Sequence, residues 1–235
     1  MNKSIILRLS ILFIGILLPV FFLIRGIYGS FVFTFFIPLI WQISFLGKPV
    51  SSLGLKFNSI KSSIVIGVIT GLGIGFIGGN LLKALGVAGH VFTGIHKLQF
   101  NAGQFYLAFP LQKELGYRLL TTSNSVKGLF IYLMFSIFVI GLGEEFFWRG
   151  FIQTKISDRL PINTSICFTS LLFTLIHFYI FTILPVKIGI CFLALIFIAG
   201  LIWGYLFKYF NNVWSSAISH GIVAFIIWKY YFFSY

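Results

Sequence analysis

Two adjacent glutamates, Glu144 and Glu145, lie in the stretch GLGEEFFWRG, and Arg149 follows four residues after the second one. The whole chain has only four acidic residues. Residues four apart share a helix face, so we expect Glu145 and Arg149 to pair. Glu144 lies about 100° around the helix from Glu145 and is therefore free to face a water molecule or another helix. A carboxylate in that position could act as a general base.

Two histidines lie in other apolar stretches of the chain. His177 follows FTSLLFTLI, and His220 follows WSSAIS. A single histidine in an apolar helix is more often a hydrogen-bonded packing residue than a catalyst. Peptide hydrolysis, however, needs an activated water, a donor for the oxyanion and a proton for the leaving amine, and glutamate and histidine together can supply all three. We therefore expect the glutamate pair and both histidines to surround one water-filled cavity.

The same residues allow two other interpretations. In the first, Glu145 neutralises Arg149 at the inner end of a helix, and Glu144 reaches the lipid headgroups. In the second, the glutamates, Arg149 and the histidines relay protons in a small transporter or proton-coupled carrier. A carrier is expected to have a pair of broken helices in matching halves of the chain, and the sequence shows no clear pair of this kind.

The elements that must position these residues are predicted to be transmembrane helices. Of the 235 residues, 59% are hydrophobic and only 9% are charged, with a mean hydropathy of +1.04. Soluble domains carry roughly 25% charged residues. The fold class is therefore predicted to be all-α, a polytopic transmembrane helix bundle that forms a single domain over residues 1–235.

A span needs about 20 mostly apolar residues, and this criterion predicts seven to eight spans. The seven are Ile6–Ile24, Phe31–Leu46, Ile64–Leu85, Gly128 to the glutamate pair, Ser165–Leu184, Ile188–Phe207 and Val213–Trp228. The long segment between Gly86 and Lys127 contains FNAGQFYLAFPL, which could form an eighth element. The first span has no small-residue cleavage site after it, so we expect it to be retained rather than removed as a signal peptide.

The basic residues predict the orientation. The net charge is +13, but the lysines and arginines lie singly between apolar segments, which favours anchoring in an anionic membrane over nucleic-acid binding. An N-terminus inside the cell would place most of them in inner connections: Lys3, Arg8, Lys48, Lys56, Lys61, Lys155, Arg159 and Lys208. We therefore expect a multi-pass protein of a cell inner membrane, bacterial by composition, with a cytoplasmic N-terminus.

Glycines recur every four residues in the third predicted span, at Gly67, Gly71, Gly75 and Gly79. This spacing predicts a ridge on one helix face against which a neighbouring helix can pack closely. The string GIGFIG in the same span matches a dinucleotide-binding pattern, but no strand precedes it, and no acidic residue follows at the required distance. We therefore expect no nucleotide cofactor.

The motifs resemble those of the CPBP intramembrane proteases, which include CAAX prenyl proteases and bacteriocin-processing proteins. EEFFWRG is similar to the family's EExxxR motif, and FTLIH, from Phe173 to His177, is similar to its FxxxH motif. His220 matches the histidine of the third motif, HxxxN, but Ala224 stands at the asparagine position. The resemblance covers about Lys127 to Phe225.

The resemblance implies a role for each matching residue. Glu144 would activate a water with help from His177, Glu145 and Arg149 would hold the helix and tune the site, and His220 would stabilise the oxyanion. With alanine at position 224, one oxyanion donor is missing unless another group replaces it. A divalent metal such as zinc, held by Glu144, His177 and His220, and a metal-free, glutamate-activated mechanism are equally compatible with these residues.

The resemblance thus implies an intramembrane endopeptidase that cuts a membrane-associated or lipidated peptide or protein. Its partners would be that substrate and the membrane lipids, without nucleic acid. A non-catalytic membrane partner of the same fold, similar to a bacteriocin-immunity protein, is the alternative that Ala224 favours.

Overall fold

A computed structural model describes residues 42–43, 47–85, 126–182 and 184–227 of the chain. Every regular element in these ranges is helical, in agreement with the predicted all-α class. A short 3-10 helix, Val50–Leu53, precedes the first long helix. The long helices are α1, Ile60–Ala84; α2, Val126–Ser157; α3, Ile162–Leu175; α4, Val186–Phe210; and α5, Trp214–Ile226. Helix α3 continues as a 3-10 helix over Ile176–Thr182. The first predicted span, the second except for Gln42 and Ile43, and almost all of the Gly86–Lys127 segment lie outside the described residues.

Within the described residues, α1, α2 and α4 are long and apolar enough to cross a membrane. Each has 25 or more residues, which at 1.5 Å per residue exceeds a hydrocarbon core of about 30 Å. The fifth and seventh predicted spans correspond to α3 and α5, which are shorter apolar helices. The prediction of seven to eight spans is therefore confirmed only in part, by helices in these ranges.

Helix α2 is longer than the sequence suggested. It was expected to end at the glutamate pair, but it continues to Ser157, and all residues from Phe146 to Gln153 are buried. The prediction failed because Arg149 was interpreted as an interfacial residue, whereas it is buried and hydrogen-bonded inside the bundle. The helix changes to π winding over Ser136–Gly141 and again over Phe146–Gln153, on both sides of the glutamates. Such π segments are frequent at functional sites.

The glycine ridge of α1 packs against α5, as predicted. A Cβ atom added at Gly67 would lie 2.8 Å from the carbonyl oxygen of Ser215, and one at Gly75 would lie 2.8 Å from Ile226 Cδ1. Only glycine permits this approach, because a real Cβ atom would overlap the neighbouring helix. Successive glycines of α1 meet successive residues of α5 in the same order, so the two helices run parallel.

Helices α2 and α5 cross at a second pair of glycines. A side chain at Gly141 would overlap the carbonyl oxygen of Ala217, and one at Gly221 would overlap Ile137 Cα. The order of these contacts is reversed along the two chains, so α2 and α5 are antiparallel. The crossing brings the backbone that carries the glutamate pair directly against the backbone that carries His220.

Candidate active site

Glu145 lies at the centre of a buried polar cluster. Its Oε1 atom accepts a hydrogen bond from Arg149 Nη1 at 2.8 Å and lies 3.0 Å from His220 Nδ1. Glu145 and Arg149 are fully buried, and the second terminal nitrogen, Arg149 Nη2, donates to the carbonyl oxygen of Gly200 at 3.0 Å. The cluster therefore joins α2, α4 and α5, and the predicted pairing of Glu145 with Arg149 is present.

The contact with Glu145 determines how His220 can act. A carboxylate oxygen only accepts, so Nδ1 of His220 carries a proton and donates it to Glu145 Oε1. The other nitrogen, Nε2, points towards Glu144 and lies 3.8 Å from its Oε2 atom. Nε2 is thus the nitrogen that can gain or release a proton, and it faces the second carboxylate.

Glu144 is buried, with 2% of its surface exposed, and its Oε2 atom has no hydrogen-bond partner within the described part of the chain. The 3.8 Å between Glu144 Oε2 and His220 Nε2 is too long for a direct hydrogen bond. A polar separation of this size is compatible with a water that contacts both atoms. Glu144 Oε2 and His220 Nε2 therefore face each other inside the bundle without a direct hydrogen bond.

The ring of Trp203, on α4, fixes the plane of His220. The two rings are stacked, with centroids 4.1 Å apart and planes 12° apart. Trp203 is itself held by a hydrogen bond from its Nε1 to Ser219 Oγ at 3.0 Å. Since Glu145 holds one nitrogen and Trp203 covers one face, His220 has little freedom to rotate.

His177 belongs to the same cluster through Phe173. The Phe173 ring centroid lies 4.8 Å from that of His177 and 5.8 Å from that of His220, so both imidazoles contact one phenyl ring. His177 Nδ1 lies 2.8 Å from the carbonyl oxygen of Phe173. A carbonyl oxygen only accepts, so Nδ1 is the donor, and Nε2 bears the lone pair of the neutral ring.

The aromatic rings around Arg149 compensate for the burial of its charge. Its Cζ atom lies 5.1 Å from the Phe173 ring centroid and 5.5 Å from that of Trp203. A cation over an aromatic face is attracted by the ring quadrupole. Together with the Glu145 carboxylate and the Gly200 carbonyl, these rings replace the water that a guanidinium loses in an apolar bundle.

The structure corrects the interpretation of the glutamates as a helix end. Glu144 does not reach the headgroups, because its carboxylate is buried and α2 continues to Ser157. Trp203 and Gly200 were not identified from the sequence, since neither differs from the apolar and small residues around it. Two glycines four apart, Gly200 and Gly204, are the only sign that a long side chain could approach α4 closely.

Glu144, His177 and His220 were suggested above as metal ligands. No group of three or more His, Cys, Asp or Glu side chains in the described ranges is arranged to hold a metal ion. Those residues do not form a complete ligand set in this arrangement, so no chemical step is assigned to a metal here.

Ala224 follows His220 by one turn of α5 and offers no side-chain donor to the site. The asparagine that the resemblance predicts is therefore absent, and this helix carries one polar side chain fewer near the site.

Comparison with known proteins supports the resemblance over the segment that carries the cluster. The sequence model of the type II CAAX prenyl endopeptidase Rce1-like family matches residues 125–226, somewhat under half of the chain. Neither a curated protein nor a solved structure matches the chain. The matched segment contains the glutamates, Arg149 and both histidines, and it confirms the predicted resemblance to CAAX-type proteases.

Proposed function

We propose that the protein is an intramembrane endopeptidase of the CAAX prenyl endopeptidase type. It hydrolyses a peptide bond in a membrane-associated or lipidated peptide or protein. The observation that carries the proposal is the buried chain of contacts from Arg149 through Glu145 to His220, whose Nε2 faces the otherwise unpartnered Oε2 of Glu144. The match to the Rce1-like family over the same residues supports this chemistry.

The mechanism follows from the polarity of each group. A water held by Glu144 loses a proton to that carboxylate and attacks the peptide carbonyl carbon, forming the new C–O bond. This step uses the imidazolium form of His220, in which Nδ1–H donates to Glu145 and a second proton on Nε2 donates to the oxyanion. Collapse of the intermediate breaks the C–N bond, and Glu144 returns its proton to the leaving amine. We assign the orientation of the water to His177, which contacts the same phenyl ring as His220.

Glu145 and Arg149 act through His220 in this scheme. The Glu145 carboxylate keeps Nδ1 of His220 as the donor, so that the exchangeable proton is carried by Nε2. Arg149 in turn compensates the buried charge of Glu145. We assign them positioning roles, and we assign contact with the water or the oxyanion to Glu144, His177 and His220.

Replacement of Glu144 by glutamine tests the proposal. The variant keeps the shape of the side chain but cannot take a proton, so cleavage of a farnesylated, fluorescence-quenched CAAX peptide in proteoliposomes should fall at least about 10²-fold. Asp158→Asn is the matched control, since Asp158 is an exposed carboxylate outside the cluster, and it should cleave like the parent protein. Cleavage by Glu144→Gln at the parental rate would refute the mechanism. Addition of a chelator to the parent protein separates the metal-dependent from the metal-free form of the reaction.

A non-catalytic role on the same fold is the second candidate, and Ala224 favours it because the oxyanion site has one donor fewer. In that case the protein binds a peptide in the membrane without cutting it. Glu144→Gln and His177→Ala would then both retain the cellular phenotype of the parent protein. Loss of the phenotype in both variants, with unchanged membrane levels, would exclude this role.

The lysines favour a cytoplasmic location for one end of the bundle. Lys56, Lys155 and Lys208 belong to separate predicted inner connections, and a cavity at that end is lined by residues from each of these connections. Because inner connections carry an excess of lysine and arginine, we infer that this end lies in the cytoplasm. The cytoplasmic N-terminus and the location in the cell inner membrane remain parts of this proposal.

A further inference from the structure

A cavity of about 440 Å³ lies at the end of the bundle, away from the glutamate pair. Its walls come from the segment around the short 3-10 helix, the end of α2, the first residue of α3 and the end of α4. Ligand pockets in proteins span roughly 300–1,000 Å³, so this cavity has the size of a small-molecule site. Gln153, four residues after Arg149 on α2, is among the residues that line it.

Two lysines of this cavity have no carboxylate partner. Lys56 Nζ donates to Asn211 Oδ1 at 3.2 Å, and Lys208 Nζ donates to Asn163 Oδ1 at 3.2 Å. Neither lysine forms an ion pair with any residue that the structure describes, and no Asp or Glu is among the residues lining the cavity. Each ammonium keeps two further donors, so the site has an uncompensated positive charge.

The start of α3 adds to the positive potential. Ile162 is the first residue of this 14-residue helix and lines the cavity, and the N-cap residue, Pro161, makes no side-chain hydrogen bond to the helix. The first N–H groups of a helix lack partners within it and favour an anion. Helix α4 ends at the same end of the bundle, and its last carbonyl, that of Phe210, accepts hydrogen bonds from Asn58 Nδ2 and Asn212 Nδ2. These hydrogen bonds reduce the negative potential of that helix end.

The cavity also offers hydrogen-bond acceptors. The hydroxyl of Thr154 donates to the Arg149 carbonyl, and that of Ser157 donates to the Thr154 carbonyl, so both oxygens retain lone pairs. A ligand that satisfies these oxygens must itself carry hydrogen-bond donors, and the hydroxyls of a lipid headgroup are of this kind.

We propose that this cavity binds a phosphate group esterified to a hydroxylated headgroup, such as the glycerol phosphate of an anionic phospholipid. The lysines and the start of α3 contact the phosphate, while the hydroxyl oxygens of Thr154 and Ser157 accept from the headgroup. Ile162 and Phe207 provide apolar contacts beside them. Basic pockets between transmembrane helices at the cytoplasmic side are suited to anionic headgroups. The proposal does not depend on the protease activity.

A lipid titration of the detergent-solubilised full chain, followed by native mass spectrometry, tests the site. Phosphatidylglycerol should bind to the parent protein more tightly than phosphatidylcholine. The double variant Lys56→Gln/Lys208→Gln should bind phosphatidylglycerol about fivefold more weakly per lysine lost, or roughly 25-fold more weakly in all. The matched control Lys48→Gln/Lys61→Gln removes two lysines that do not line the cavity, and it should bind like the parent protein. Equal affinity of the parent and Lys56→Gln/Lys208→Gln for phosphatidylglycerol would overturn the proposal.

Two further probes identify the ligand chemistry and its source. Phosphatidylmethanol has the charge of phosphatidylglycerol without hydroxyls, and it should bind about fivefold more weakly if the acceptors are used. Equal binding of these two lipids would overturn the acceptor part of the proposal. If the natural ligand is a lipid, soluble glycerol 3-phosphate should compete only weakly with phosphatidylglycerol for the site. If the natural ligand is a soluble phosphate ester, glycerol 3-phosphate should bind as tightly as phosphatidylglycerol does. Failure of both the lipid and the soluble ester to bind would remove the site.

Discussion

At the scale of single residues, the sequence identified the charged members of the cluster and missed the apolar ones. Glu144, Glu145 and Arg149 are conspicuous because an ionised group in a membrane helix is costly unless it is paired. Trp203 could not be found in this way, since one tryptophan in an apolar helix has no distinguishing pattern. Its role depends on a stacking contact between helices that are distant from each other along the chain.

Arg149→Met tests the energetic role of the buried pair. The substitution leaves the carboxylate of Glu145 buried without its cation, which typically costs about 3–5 kcal/mol of stability. We expect a clear fall in the thermal unfolding temperature of the purified protein in detergent. Glu145→Gln/Arg149→Met should recover part of the loss, because no unpaired charge remains. A single variant as stable as the parent would show that the pair contributes little.

Ala224→Asn tests the missing donor. If the site stabilises an oxyanion with His220 alone, asparagine one turn later would add a donor and raise the rate of peptide cleavage, by up to about 10²-fold. Ala224→Leu, which adds similar bulk without a donor, should not raise it. An unchanged rate in Ala224→Asn would indicate that another group already supplies the second hydrogen bond.

At the scale of elements, apolar run length predicted where helices occur but not where α2 ends. A run interrupted by Glu144, Glu145 and Arg149 looks like the end of a span, because hydropathy counts each charge as a cost. The hydrogen bonds of Arg149 to Glu145 and to Gly200 remove most of that cost, and they depend on contacts that a single sequence does not show. The glycine ridge of α1 was predictable because its spacing alone places the residues on one face.

Gly221→Ala tests the crossing of α2 and α5. A methyl group there would overlap the backbone at Ile137, so the helices must separate and move His220 away from the glutamates. We expect loss of peptide cleavage and a lower unfolding temperature. The matched control is Gly73→Ala, since an added Cβ at Gly73 meets nothing within 4 Å. Alanine is favoured over glycine in a helix by about 1 kcal/mol, so this control should be neutral or slightly stabilising.

At the scale of the whole molecule, the contacts agree with the predicted alternation of spans. Helices α1 and α5 run parallel, and α2 is antiparallel to α5. Arg149 meets Gly200 and Gln153 meets Gly204, so α2 and α4 run in the same direction. The order of the predicted spans was sufficient to predict these relative directions, whereas the orientation predicted from the charge bias stays a prediction. The first two predicted spans stay predictions, because only Gln42 and Ile43 of them are among the described residues.

Cysteine labelling tests the orientation of the molecule. Single cysteines at Ser157 and Asn211, in a background without Cys167 and Cys191, should react with a membrane-impermeant maleimide only from the cytoplasmic side. A cysteine at Val186, an exposed residue at the start of α4, should react only from the opposite side. Labelling of Ser157→Cys and Asn211→Cys from different sides would contradict the arrangement of α2 and α4.

Two main-chain carbonyls of α4 accept hydrogen bonds from Arg149 and Gln153, and this determines which residues can replace Gly200 and Gly204 during evolution. A carbonyl oxygen has two lone pairs, so Gly200 and Gly204 can accept these side chains without giving up their own helical hydrogen bonds. Helix α4 contributes two main-chain carbonyls, which a residue of any type would provide. It also leaves space beside them for the incoming side chains, which only small residues allow. Mutational tolerance at both positions should therefore follow side-chain volume and be indifferent to polarity.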